Sequence, residues 1–221
     1  MEEASILSQI RLPDLFSVLN ALLGFSAILW AVIGMKEALL LILLAALFDG
    51  IDGAVARGFE RSELGLFLDS FADLISFGVA PSYIVYVAFP HTLTCVFCGA
   101  YVTCGMLRLA RFNATSLRLS IEGFEGLPIT AAGMFLSLLL LAVPRFDDFI
   151  LFVVVLLMAV LSVLMVSRVK YPKVNGVPQA CGGALILILF AFYAFSLPLS
   201  YPSAVLLALI SIYACLPLLG K

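Results

Sequence analysis

Eight long apolar runs, none of them alternating, leave this chain few ways to fold. They lie near residues 12–34, 38–58, 64–89, 93–113, 127–143, 149–166, 182–200 and 204–219, and Leu, Ala and Val dominate them. Each approaches the roughly 20 residues that a helix needs to cross a bilayer. A segment in hydrocarbon must satisfy its own backbone hydrogen bonds, so only helices or a closed barrel can span it. Barrel strands alternate apolar and polar residues, and these runs do not. Composition agrees: 64% of the 221 residues are hydrophobic and 12% are charged, where a soluble domain carries about 25% charged residues. The expectation is an all-α, polytopic helical bundle of about eight transmembrane helices, one membrane domain over residues 1–221. The first run begins at Leu12 and is longer than a signal-peptide core, so it is read as a retained span.

Positive charge orients the bundle. Arg11, Arg57, Arg61, Arg108, Arg111, Arg118, Arg168, Lys170, Lys173 and Lys221 fall on one side of an eight-span topology, and only Lys36 and Arg145 on the other. Lys and Arg in short loops are retained in the cytoplasm. Both termini are therefore expected there. A net charge of −2 with no basic run argues against nucleic acid as a partner. The five cysteines (Cys95, Cys98, Cys104, Cys181, Cys215) and the single His91 form no ligand set, since one CxxC has no second pair at metal spacing.

Carboxylates are the anomaly. Ten of the fourteen acidic residues sit at the N-terminus, at span margins or in loops, while Asp49, Asp52, Asp69 and Asp73 lie inside spans. A charge at that depth costs at least about 2.5 to 3.5 kcal/mol, so each marks a candidate functional site. At about 100° per residue, Asp49, Asp52, Gly53 and Ala56 share one face of the second helix, and Gly65, Asp69 and Asp73 one face of the third. Two helices paired antiparallel bring those faces together near the cytoplasmic end. Four carboxylates in one cleft repel one another unless cations neutralise them. Oxygen donors without His or Cys favour hard ions, Mg²⁺ first, with Mn²⁺ and Ca²⁺ also admissible. Two such ions form a clamp for phosphoryl groups. Small residues beside them let a bulky ligand approach the backbone, although they also serve helix packing. Arg57, at the membrane surface, is either a loop anchor or a phosphate ligand.

The string Asp49-Gly-Ile-Asp52-Gly53-Ala-Val-Ala56-Arg57, followed by Gly65-Leu-Phe-Leu-Asp69-Ser-Phe-Ala-Asp73, resembles the signature of the CDP-alcohol phosphotransferases. That signature reads D-x-x-D-G-x-x-A-R, a spacer, then G-x-x-x-D-x-x-x-D. One departure is the spacer, which has seven residues (58–64) where the family normally has eight. Further strings are similar to the phosphatidylserine synthase and archaetidylserine synthase branch: Ser76-Phe-Gly-Val-Ala-Pro81, Leu107-Arg108-Leu-Ala-Arg111-Phe-Asn113, Gly126-Leu-Pro128 and 168–173. Pro13 with Ser17, Asn20 and Gly24 resembles that branch's N-terminal pattern, with Asp14 and Ser17 where Asn and Thr are common. On this reading residues 12–113 carry the motif helices and 114–221 the remaining ones.

The resemblance implies transfer of a phosphatidyl-type group from a CDP-activated lipid to the hydroxyl of L-serine, with release of CMP. It implies Asp49, Asp52, Asp69 and Asp73 as ligands of two divalent cations, Asp73 also as general base, and Gly53, Ala56, Arg57 and Gly65 as the lining of the CDP pocket. The lipid is a diacylglycerol or an archaeal ether, and a homodimer is a family expectation. Arg108, Arg111 and Asn113, at the inner end of the fourth span, are candidates for holding the serine carboxylate or a phosphate; anchoring of the helix end is the plainer alternative. Two rivals stand beside this reading: a sibling enzyme using glycerol phosphate or an inositol compound, and a cation-coupled transporter, which also buries carboxylates.

Overall fold

The computed structural model describes residues 10–55, 63–116, 124–143, 145–172 and 176–219. They form eight helical rods: α1 (Leu12–Trp30), α2 (Met35–Val55), a continuous third rod, α5 (Thr92–Ser116), α6 (Ile129–Ala142), α7 (Asp148–Val166), α8 (Val177–Ala194) and α9 (Ser200–Leu219). The third rod joins α3 (Glu63–Asp73), a π-helical turn (Leu74–Val79) and α4 (Ala80–Ala88). Among the described residues six rods have the length and hydropathy of a membrane crossing, and α6 is a shorter apolar helix. The remaining rod, α2, runs for 21 residues. The protein is a polytopic, helical, integral membrane bundle.

Local chemistry sets the helix ends. The Arg11 backbone N–H donates to the Asp14 carboxylate at 2.8 Å and ties down the start of α1. Asp147 accepts from the Ile150 N–H at 2.9 Å at the start of α7. The seventh span differs from the expected 182–200: α8 starts at Val177 and stops at Ala194. Pro178 fills its first turn, where a missing N–H costs nothing, after Gly176 has turned the chain at φ +68°. Ser196 at φ +55° ends it. Hydropathy marked the apolar stretch but not these backbone signals.

The bundle turns large apolar side chains outward and buries a set of polar ones within an apolar interior. Leu22, Phe25 and Leu29 of α1, and Phe149, Phe152 and Val163 of α7, are exposed. Asn20, Ser70, Asp73, Ser76, Arg108 and Asn113 are buried. Hydroxyls of Ser137 and Ser162 donate to the carbonyls of Gly133 and Met158, four residues back, so they enter the interior without loose donors. A single apolar cluster runs through the rods and includes Leu39, Ile42, Phe77, Ile84, Leu136 and Met158.

Packing converges on the π turn. A Cβ added to Gly24 of α1 would lie 2.6 Å from Ser76 Cα, and one added to Gly133 of α6 would lie 2.7 Å from Phe77 Cα. The turn is thus pinched between two backbones at positions where only glycine fits. Tyr101 of α5 donates its hydroxyl to the Phe77 carbonyl at 3.1 Å, and Ser76 donates to the Asn20 carbonyl at 2.7 Å. The turn directly follows Asp73, so these contacts also fix the end of α3.

Gly133→Ala is expected to cost about 1 to 3 kcal/mol through overpacking, and Gly99→Ala, with open space at the added methyl, is expected to gain up to about 1 kcal/mol. Thermal melting in detergent checks this; equal shifts for the two variants would show that α6 is not held against the turn.

Candidate active site

Three of the four intramembrane aspartates meet. Asp49, near the C-terminal end of α2, and Asp69 and Asp73 on one face of α3 each offer an oxygen, and those oxygens lie within 4.8 Å of one another. The side chain of Asp52, and all of Ala56, Arg57 and the spacer as far as Ser62, lie outside the described residues. The backbone of Gly53 continues α2 past the cluster, and Gly65 stands in the first turn of α3.

Oxygens that all lie within 4.8 Å of one another are close enough to share one hard cation, whose ligands bind at about 2.0 to 2.6 Å. The donor set is all carboxylate, which suits Mg²⁺-like ions. The residues present therefore fit a divalent metal, with Asp49, Asp69 and Asp73 as the ligands that the geometry brings together. Such ions would supply positive charge for phosphate oxygens.

A polar shell holds these carboxylates. Asn20 of α1 donates Nδ2 to Asp73 Oδ1 at 3.3 Å, and Thr130, in the first turn of α6, donates Oγ1 to Asp49 Oδ2 at 3.4 Å. Ser70 donates to Asn113 Oδ1 at 2.9 Å, which ties α3 to the C-terminal end of α5. Arg108, also on α5, is buried, interacts electrostatically with Asp73 and Asp49, and sits 5.6 Å from the Phe112 ring centroid. Gln179 of α8 donates Nε2 to the Gly50 carbonyl at 2.7 Å, beside Asp49.

Arg111 faces a different task. Its guanidinium donates to the carbonyls of Glu125, Met165, Val166 and Ser167 at 2.7 to 3.3 Å. It thereby gathers the carbonyls at the end of α7 and at the short β1 strand (Phe124–Glu125), which pairs antiparallel with β2 (Lys170–Tyr171). The arginine pair that looked equivalent in sequence is split, with Arg108 at the carboxylates and Arg111 at a helix end.

With this geometry in hand, the sequence profile of the CDP-alcohol phosphatidyltransferase family is found to match residues 10–167. The chain belongs to that family. It is a transferase, and the transporter alternative falls away. It is 40% identical over 182 residues to an archaetidylserine synthase of Methanothermobacter thermautotrophicus, covering 80% of this chain and 76% of that one. It is 38% identical over 170 residues to a CDP-diacylglycerol–serine O-phosphatidyltransferase of Methanocaldococcus jannaschii, covering 76% and 77%. It is 32% identical over 200 residues to the enzyme of that name from Helicobacter pylori, covering 85% and 82%.

Thr130 and Gln179 were not singled out by motif. Both stand in a first helical turn just after a proline, Pro128 and Pro178. In an eight-span topology both helices start at the aspartate end, and that is the signal by which they could have been found.

Arg111→Lys keeps the charge but loses the fork, and is expected to lower stability by about 1 to 3 kcal/mol. A melting temperature in detergent that does not move would mean the guanidinium is not what secures α7.

Proposed function

We propose that this enzyme transfers the phosphatidyl-type group of a CDP-activated lipid to the hydroxyl of L-serine and releases CMP, as the names of its relatives suggest. The observation that carries the reading is the meeting of Asp49, Asp69 and Asp73 at one end of α2 and α3. Asp52 completes the ligand set for two divalent ions, Mg²⁺ or Mn²⁺, and Gly53, Ala56, Arg57 and Gly65 line the CDP pocket. In this reading the membrane is the cell membrane and the site faces the cytoplasm, an orientation supported by the distribution of Lys and Arg.

Asp73 takes the proton of the attacking serine hydroxyl. The serine oxygen bonds to the lipid-side phosphorus, the bond from that phosphorus to the bridging oxygen breaks, and its electron pair leaves with CMP. Bound divalent ions would stabilise charge on the diphosphate oxygens. Serine brings a carboxylate that needs a cation; buried Arg108 interacts electrostatically with Asp73, and Asn113, further along α5, accepts from Ser70 of α3. Arg108 is therefore assigned to the carboxylate and the Asn113 amide to a second polar atom of the acceptor, while Arg111 stays with its carbonyls. Two copies of the bundle in a homodimer are compatible with this arrangement and are part of the proposal.

An acceptor panel tests the assignment: with Mg²⁺ or Mn²⁺, CMP is expected only when L-serine is supplied, and equal turnover with glycerol phosphate or inositol phosphate would falsify it. Asp73→Asn is expected to abolish turnover yet still bind CDP-lipid; substantial residual activity would remove Asp73 as the base. Asp49→Asn and Asp69→Asn are expected to raise the metal concentration for half-maximal CMP release by roughly tenfold or more, and unchanged titrations would remove them as ligands.

A further inference from the structure

We propose that Asn20 is a positioning residue that holds the Asp73 carboxylate by one oxygen and presents the other to the reaction. This inference rests on the reading of Asp73 as general base. Asn20 sits in the middle of α1, 0% exposed. An amide there has no packing advantage over leucine, and it carries a cost, because its Oδ1 is buried without a hydrogen-bond partner. Such a residue is kept for what its other atom does, and that atom, Nδ2, donates to Asp73 Oδ1 at 3.3 Å.

The surroundings hold the amide in place from the backbone side. The Asn20 carbonyl accepts from Ser76 at 2.7 Å. One turn further along α1, Gly24 lets the helix settle onto Ser76, where any side chain would collide. Asp73 ends α3, and Ser76 lies in the π turn that follows it. The two ends of one short stretch are therefore clasped by one residue: Asp73 by the Asn20 side chain, Ser76 by the Asn20 main chain. Asn20 engages Oδ1 of Asp73, and in this scheme Oδ2 is the oxygen that meets an ion or an acceptor hydroxyl. Asn20 touches neither reactant in this scheme and acts through Asp73 alone.

Asn20→Leu keeps the volume and removes the donor. The expected result is a kcat lowered by roughly 10- to 100-fold, a KM for CDP-lipid changed by less than about threefold, and a melting temperature within roughly 3 °C of the unsubstituted protein. Ser76→Ala, which removes the main-chain clasp but leaves the amide, is expected to move the melting temperature and spare kcat. Should Asn20→Leu not fold, Asn20→Ser, too short to reach Asp73, is expected to show the same loss of kcat. A kcat near that of the unsubstituted protein in either folded Asn20 variant, or a kcat loss equalled by Ser76→Ala, overturns the proposal. Asp73→Asn separates the two ideas: inactive Asp73→Asn with active Asn20→Leu defeats only the positioning role, whereas active Asp73→Asn defeats the base itself.

Discussion

Carboxylates at the depth of a membrane span have to be surrounded by protein, and the arrangement of the helices follows from that requirement. An ionised group left facing lipid would cost at least about 2.5 to 3.5 kcal/mol. Here Asp73 is buried, and around the Asp49, Asp69 and Asp73 cluster stand donors from four other parts of the chain: Asn20 on α1, Arg108 on α5, Thr130 on α6 and, through the Gly50 carbonyl, Gln179 on α8. Each donor requires its helix to come close at the same end of the bundle. The rods are thus gathered around a charge problem, and the apolar cluster fills the space that remains.

Close approach is made possible by the π turn and by glycine. The turn inserts an extra residue into the third rod just after Asp73, so that α3 and α4 need not present the same face. Gly24 and Gly133 let α1 and α6 press against Ser76 and Phe77 at backbone distance. In hydrocarbon such contacts rely on van der Waals fit and hydrogen bonds, since burying apolar surface gains nothing over lipid. The hydroxyls of Ser76 and Tyr101 supply those hydrogen bonds.

Much of this could be read beforehand, for a physical reason. Spans are legible because bilayer thickness fixes their length, and the aspartates because charge is so rare in them. Asp49, Asp69 and Asp73 converge as their helical spacing required. The π turn was not legible, because nothing in the apolar run 74–79 marks where one extra residue enters the helix. Nor were the partners of Arg108 and Arg111, which stand three residues apart on one helix but meet different neighbours, since sequence spacing gives direction around a helix and not what lies there. Gln179 belongs to a helix outside the residues matched by the family profile, and only folding brings it to Gly50.

The division between the two arginines follows one electrostatic rule. Arg111 goes to a helix C-terminus, where carbonyls collect partial negative charge, and Arg108 to the carboxylates, where the charge is full. With the proposed roles, the four aspartates, Arg57 and Arg108, two divalent ions, and a diphosphate bearing about two negative charges sum to neutrality. Without the ions and the nucleotide the same pocket is left with an excess of two negative charges. On those proposed roles the charges would balance only with metal and CDP-lipid both bound, and binding of each would favour the other.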